Sequence, residues 1–163
     1  MRCWGYNGSG ALGIGNTTNQ VSPVEPSGGF QTLVTDVFVG GVSNSTASTA
    51  IVVRTSSGQL WGAGYCGQGN LGINSGAAIV FSFAQAVGLD GTIADVAMVG
   101  AGLTYGLTAL FTNGRVGVCG DNSANQLGLD TGPADSAVFR TVTALTPLGV
   151  KGADGISLRW RNA

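Results

Sequence analysis

A glycine-rich stretch that occurs three times constrains this chain more than any other feature. In its middle copy, Gln59 to Gly72, it reads QLWGAGYCGQGNLG: a short apolar segment, a glycine-rich loop and a final Leu-Gly pair. Related stretches run from Met1 to Gly13 and from Arg115 to Gly128. A stretch of this kind that recurs at a fixed distance is the signature of a repeat architecture, so the rest of the chain is expected to follow the same period.

Other short landmarks follow a period of 56 to 60 residues. The Leu-Gly pairs that begin at Leu12, Leu71 and Leu127 are separated by 59 and 56 positions. A second landmark is interpreted as a Trp-Gly or Cys-Gly step, with spacings of 57 and 58, at Trp4-Gly5, Trp61-Gly62 and Cys119-Gly120. Further dipeptides recur in the same order, namely Asp36-Val37 with Asp95-Val96, Val39-Gly40 with Val99-Gly100, and Ser57-Gly58 with Asn113-Gly114.

Within each period the residues predict short antiparallel strands. The β-branched segment Ala50–Arg54 is followed by a turn at Ser57-Gly58 and then by Gln59–Trp61, which predicts a hairpin. A second hairpin is predicted from Leu107–Phe111 across Asn113-Gly114 to Arg115–Cys119. Upstream strands are predicted at Asp36–Val39 and Ile93–Val99, with weaker ones within Val21–Val34 and Ile79–Val87. No window sustains a 3.6-residue apolar period, so little or no helix is expected.

About four short strands in every repeat describe the blades of a β-propeller. The predicted fold class is therefore all-β, with antiparallel four-stranded blades, about three of them in the chain. The whole chain, residues 1–163, is predicted to be a single propeller segment with repeats at approximately 1–59, 60–115 and 116–163. Because one blade cannot bury both of its faces, each blade needs neighbours on either side.

Composition and charge exclude several classes of function. The net charge is −1 and the sequence contains no run of Lys or Arg, so a nucleic-acid partner is not expected. No apolar run approaches the ~20 residues that span a bilayer, and no signal peptide is visible, so no membrane partner is predicted. The sequence leaves the compartment open between the cytoplasm and the inside of a virion or particle.

Residue usage also leaves little chemistry for catalysis. The chain has no histidine, which removes Ser-His and Cys-His catalysis and the usual zinc and haem ligands. Its three cysteines lack a metal-type spacing and are predicted to be small buried or half-buried thiols, with a disulfide between subunits as the alternative. The dinucleotide-like spacing of Gly62, Gly64 and Gly67 is followed by turn residues rather than by a helix. No enzyme activity, metal or cofactor is therefore predicted.

The repeats resemble those of the regulator of chromosome condensation family. That family's motif runs from a strand through Trp-Gly and a loop to Gly-Gln-Leu-Gly, and it is similar to Asn125–Gly128, Gly69–Gly72 and Gly10–Gly13. The proline that follows in the family matches Pro23, and its valine-glycine step matches Val39-Gly40. The resemblance implies a propeller that presents binding loops. It does not carry over nucleotide exchange on a small GTPase or chromatin binding, because the basic surfaces and the wedge loop of those members are absent.

The family propeller has seven blades, and three repeats are too few to close one. The final segment alternates Ile156, Leu158 and Trp160 with polar residues, which is typical of a half-buried strand. We expect this strand to pair with the first strand of another copy, forming a seam of Arg2, Cys3, Trp4, Ile156, Leu158 and Trp160. Two copies joined head-to-tail would make a six-bladed homodimer. The alternative is that the chain is a fragment whose remaining blades lie elsewhere.

Four aromatic residues are candidates for ligand contact. Tyr6 and Tyr65 follow the glycine step in two repeats and are predicted to lie on one rim. Trp4 and Trp61 are predicted to pack between blades, or, if exposed, to stack on a sugar or a base. The predicted function is a non-catalytic protein-interaction or scaffold module. A structural or receptor-binding component of a phage or surface assembly, and a lectin that binds glycans, are the alternatives.

Overall fold

The computed structural model describes residues 1–28, 30, 33–40, 49–101 and 104–148, and this part of the chain contains ten β-strands and one short 3-10 helix, Thr143–Leu148. The strands, in chain order, are β1 (Cys3–Gly5), β2 (Gln20–Val24), β3 (Val34–Gly40), β4 (Ala50–Thr55), β5 (Leu60–Tyr65), β6 (Ile79–Gln85), β7 (Ile93–Ala101), β8 (Thr104–Phe111), β9 (Val116–Gly120) and β10 (Ser136–Thr141). None of the helical structure in these residues is long and apolar enough to cross a membrane.

The strands form three antiparallel sheets. The first sheet holds β1 and β2, the second has the order β3-β4-β5-β6, and the third has the order β10-β9-β8-β7. Within each sheet the strands that follow one another in the sequence pair, which is the meander of a propeller blade. The predicted all-β fold with antiparallel four-stranded blades is confirmed. Completion of a ring by a second chain stays a prediction.

Both predicted hairpins are present. Strand β4 pairs with β5 so that Val53 lies opposite Trp61, and β8 pairs with β9 so that Ala109 lies opposite Gly117. The turns close with hydrogen bonds of 2.9 Å from the amides of Gly58 and Gly114, which both have a positive φ, 75° and 80°. Glycine adopts this conformation without steric penalty, and this is why the Ser-Gly and Asn-Gly pairs mark the turns correctly.

The sheets are offset from the sequence repeats by half a blade. The predicted repeat limits at 59/60 and 115/116 fall in the turns of the β4–β5 and β8–β9 hairpins. Each four-stranded sheet thus takes its first two strands from one repeat and its last two from the next. By the same alignment, β1 and β2 correspond to β5 and β6, which are the last two strands of the second sheet.

The largest apolar core lies between the two four-stranded sheets. Its fully buried members include Leu60 and Leu71 on one side and Leu107 and Phe111 on the other. A smaller cluster, around Phe83, packs Phe30, Val53 and Ala63 beside the second sheet. Because burial of apolar surface is the main favourable contribution to folding, adjacent sheets stabilise one another through these contacts.

Candidate interaction surface

The glycine-rich loops share one backbone geometry, and it fixes how the three repeats align. Gly5, Gly64 and Gly120 all have a positive φ, of 102°, 107° and 115°. This alignment has the same spacings, 59 and 56 positions, as the Leu-Gly pairs. It places Ala63, and not Trp61, at the position of Trp4. The landmark that paired Trp61-Gly62 with Trp4-Gly5 is therefore wrong by two residues, because the dipeptide alone does not show which glycine carries the bend.

A buried polar residue near the start of each loop holds the loop closed. Asn7 donates from Nδ2 to the Asn16 carbonyl at 2.8 Å, and Asn122 donates from Nδ2 to the Gly132 carbonyl at 2.7 Å. In the middle repeat Cys66 takes this role, and its Sγ donates to the Ala77 carbonyl at 3.0 Å. An amide and a thiol share the position because each is a buried group that donates a hydrogen bond to a backbone carbonyl across the loop.

The two asparagines also accept a hydrogen bond. The Oδ1 atom of Asn7 accepts from the Leu12 amide at 2.9 Å, and that of Asn122 accepts from the Leu127 amide at the same distance. This contact locks the leucine that precedes the repeat glycine. Neither asparagine is among the site residues predicted from the sequence, although the pattern Asn-x-x-x-x-Leu-Gly occurs in two repeats and indicates both of them.

The first two loops each pack on the last strand of the following sheet. Gly13 lies beneath the ring of Phe83 on β6, and Gly72 lies beneath the ring of Phe139 on β10. A β-carbon on Gly13 would overlap the Phe83 ring, and one on Gly72 would lie 2.7 Å from that of Phe139. In the first two repeats the glycine of the Leu-Gly landmark leaves room for a ring of the next sheet.

Backbone contacts accompany the two rings. The amide of Gly15 donates to the Phe81 carbonyl, and that of Asn74 donates to the Ala137 carbonyl, both at 2.8 Å. Isolated bridges join Ile14 to Ser82 and Ile73 to Val138. We call the contact of residues 10–15 with β6 the first joint, and the equivalent contact of residues 69–74 with β10 the second joint. The two joints are repeats of one structure.

This arrangement of linked four-stranded sheets is found in known propellers. No protein-family model matches the chain, and no curated protein matches it. Among solved structures, human WBSCR16 matches with a TM-score of 0.64 and 21% identity over 86% of this chain. Yeast Prp20p matches with a TM-score of 0.67 and 17% identity over 88% of this chain, and yeast RCC1 (Prp20) in its complex with Kap60 matches with a TM-score of 0.66 and 17% identity, also over 88%.

The chain has the RCC1-like propeller fold. It spans only about a third of each matching chain, 32% to 34% of their lengths. At these identities the likeness concerns the fold, and it confirms the resemblance that the repeat motifs predicted.

One surface of the RCC1-like segment is the third glycine-rich loop, which the part of the chain that the structure describes leaves uncovered. Gly128 has the same φ as Gly72, 63° against 64°, but it is exposed whereas Gly72 is buried. The nearest atom to a β-carbon placed on Gly128 belongs to Val142, at 3.8 Å. Asn125, at the position of Gly69, is also exposed. We call residues 125–130 the open loop.

A second surface is one face of the first sheet. Trp4 is 63% exposed, whereas its counterparts Ala63 and Cys119 are completely buried beneath the joints. On the neighbouring strand Val21 is fully exposed at 102%, and Pro23 is exposed as well. Val24 lies opposite Cys3 as Ala84 lies opposite Gly62, so β2 aligns with β6 at a spacing of 60 positions. Pro23 therefore occupies the position of Phe83, which is also that of Phe139. We call Trp4, Val21 and Pro23 the apolar face.

The four predicted contact aromatics have different surroundings. Tyr6 and Tyr65 occupy equivalent positions, and each places its hydroxyl over the glycine two residues later. Tyr6 is 48% exposed, whereas Tyr65 is half-buried with its ring 6.4 Å from that of Tyr105, whose hydroxyl donates to the Tyr65 carbonyl. The Trp61 ring is half-buried and lies 5.4 Å from the Phe30 ring. A contact role for these residues stays a prediction.

The predicted seam residues near the N-terminus differ in burial. Arg2 is exposed and forms an ion pair of 3.2 Å with Glu25, whereas Cys3 is buried. Burial raises the pKa of the Cys3 thiol. The other predicted seam residues, Ile156, Leu158 and Trp160, lie outside the described residues.

Several titratable groups that the structure describes are held in ion pairs or buried in the core. In this part of the chain no three His, Cys, Asp or Glu side chains lie close enough together to hold a metal ion. Burial raises the pKa of the Cys119 thiol to about 12, which disfavours the nucleophilic thiolate. Asp36 accepts a hydrogen bond of 2.8 Å from Arg54, and this bond lowers the pKa of the carboxyl.

Proposed function

We propose that this RCC1-like segment is a non-catalytic protein-interaction and scaffold module whose copies assemble head-to-tail. The observation that carries the proposal is the pair of uncovered surfaces, the open loop on the third sheet and the apolar face on the first. A soluble protein rarely exposes contiguous apolar surface without a binding role, and a tryptophan that is 63% exposed beside an uncovered valine fits an interface.

The fold supports a binding role of this kind. Yeast Prp20p has binding properties toward Gsp1p and histones, and yeast RCC1 (Prp20) has been solved with Kap60 bound. Because proteins of this fold bind other proteins, we propose protein partners for this segment as well. Its loops would contact them, and the rigid sheets would hold these loops in position. We assign it no catalytic role, since its described cysteines are buried thiols with raised pKa values.

The residue range is part of the proposal. We propose that residues 1–163 form a single propeller segment with repeats at approximately 1–59, 60–115 and 116–163. Two copies would then supply six blades, and the predicted seam strand would complete the first sheet of each. Such heterologous contacts form a closed ring when the rotation between copies divides a full turn.

Two measurements test the proposed function. Light scattering on size-exclusion fractions over a dilution series should show a dimer that dissociates on dilution, and a mass that stays at one chain would contradict head-to-tail assembly. A pull-down from the native source should then recover a specific protein that unfolded bait does not retain. Retention on a glycan array without any protein partner would favour a lectin instead.

A further inference from the structure

We propose that the open loop of one copy docks on the apolar face of a second copy and makes a third joint there, equivalent to the two joints within the chain. This inference rests on the proposed head-to-tail assembly and names the residues that form its contact. Its two halves are both present in the described structure, on the first and third sheets, with the whole second sheet between them.

The internal joints specify the contacts that the third joint would make. In the first two joints the bridges join Ile14 to Ser82 and Ile73 to Val138, and the repeat alignment gives Leu129 and Ser22 of a second copy as the next pair. The amides of Gly15 and Asn74 donate to the carbonyls of residues 81 and 137. By the same alignment, the Asp130 amide would donate to the carbonyl of Val21 in the second copy.

In the third joint the large and the small side chain swap their positions on the two neighbouring strands, and together they fill a similar volume. In the first two joints a phenylalanine covers the repeat glycine, and a small residue, Ala63 or Cys119, lies beside it. The apolar face has the smaller ring of Pro23 at the phenylalanine position and Trp4 at the position of the small residue. A large ring is thus still available above Gly128, supplied by the neighbouring strand. Cores tolerate such exchanges when the total volume is kept.

A second copy is the occupant that these observations favour. In both internal joints, a loop equivalent to the open loop packs on a strand equivalent to the one that carries Val21 and Pro23. The open loop and the apolar face lie on different surfaces of one molecule. A contact between two different surfaces leads from copy to copy and is heterologous. The small net charge of −1 opposes this association only weakly.

Engineered disulfides test the contact directly. In the first joint a β-carbon on Gly10 would lie 3.2 Å from the Phe81 Cα atom, whereas in the second joint a β-carbon on Gly69 would overlap the Ala137 backbone. The equivalent pair in the third joint is Asn125 and Val21, and because Asn125 carries a β-carbon we place the strand of the second copy at the wider spacing of the first joint. Residues 125 and 21 then lie within reach of a disulfide, which needs about 3.5–4.5 Å between its two β-carbons. Asn125→Cys protein mixed with Val21→Cys protein should form a cross-linked dimer under mild oxidation, whereas neither variant should do so alone. Thr17→Cys, at an exposed position outside the joint, replaces Val21→Cys in the matched control.

The possible outcomes separate this inference from the proposed function. Light scattering without oxidation reports self-association alone, so association without the mixed cross-link would overturn the joint and leave head-to-tail assembly standing. A single chain mass would overturn both. Cross-linking of Asn125→Cys protein with itself would also overturn the joint, since it requires a symmetric contact.

A second variant measures the strength of the contact. Trp4→Ser should weaken self-association about tenfold or more, because tryptophans at the centre of an interface contribute a large share of binding. Leu33→Ser is the matched control, since Leu33 is 50% exposed but lies outside the apolar face. Equal dissociation constants for the two variants would overturn the role of Trp4 and, with it, the third joint.

Discussion

The repeat glycines allow a comparison in which the chain supplies its own control. Gly72 and Gly128 occupy the same repeat position with φ values of 64° and 63°, but only Gly72 lies beneath a ring. Replacing either one by alanine forces an L-residue into the left-handed region, which costs roughly 1–2 kcal/mol. Because this backbone strain is common to both variants, the difference between them isolates the packing of Phe139.

The structure sets the size of that difference. An alanine β-carbon at position 72 would lie 2.7 Å from two ring carbons of Phe139 and 3.0 Å from the Cys119 sulfur. Favourable carbon contacts lie at about 3.5–4.0 Å, so the ring must move, and overpacking of this kind costs about 1–3 kcal/mol. We therefore expect Gly72→Ala to lower the free energy of unfolding by about 2–5 kcal/mol and Gly128→Ala by about 1–2 kcal/mol.

Urea denaturation measures both free energies, at a protein concentration where light scattering reports a single chain. The slopes of the two transitions should agree, so that the midpoints compare stability alone. Adding Phe139→Leu to Gly72→Ala should recover part of the loss, and a double-mutant cycle gives that coupling. Equal losses for the two glycine variants would refute the account of the joints, because strain alone would then explain the repeat glycine.

Three further outcomes are expected. Asn122→Ala should lower the free energy of unfolding by about 1–3 kcal/mol, because the buried Leu127 amide and the Gly132 carbonyl both lose their hydrogen bonds to Asn122. Asn113→Ala on the exposed turn should lower it by less than about 1 kcal/mol in the same urea melts. The hydrogen bond from Arg54 lowers the pKa of the Asp36 carboxyl in the folded protein. The bond therefore stabilises the fold above the unfolded pKa of ~4, and this stabilisation is lost as the pH falls through the folded pKa. Arg54→Gln should flatten the acid side of a plot of urea midpoint against pH. Thiol reagents at mildly alkaline pH should leave Cys119 unmodified in the folded protein and modify it on unfolding, as peptide mass spectrometry would show.

The sequence predicts those parts of the fold in which a local backbone conformation requires one residue type. Gly58 and Gly114 are needed at hairpin turns with a positive φ, so each marked a real turn. The Leu-Gly pairs were equally reliable, because the glycine of each pair adopts the same left-handed backbone and an adjacent ring covers two of the three. Local patterns of this kind fix the strands and the period without knowledge of the tertiary contacts.

The rest depends on contacts between distant residues, which the sequence does not show. Trp4 and Trp61 look equivalent as Trp-Gly steps, yet Trp4 is mostly exposed and Trp61 packs against Phe30. The loop-closing role is hidden for another reason, since Asn7 and Cys66 perform it with different chemical groups. The uncovered surfaces depend on which sheet packs against which loop, and no local sequence pattern specifies this packing.

The half-blade offset between sequence repeats and sheets has a consequence for how such a chain can change length. Inserting or deleting one complete period adds or removes one complete four-stranded sheet and its joint. The open loop and the apolar face therefore keep the same residues at the two ends of the array, whatever the number of periods. Stability then varies almost linearly with the number of periods, as it does in other arrays built on nearest-neighbour contacts. A cut within a hairpin turn, by contrast, would divide one sheet and leave two halves that each need a new strand.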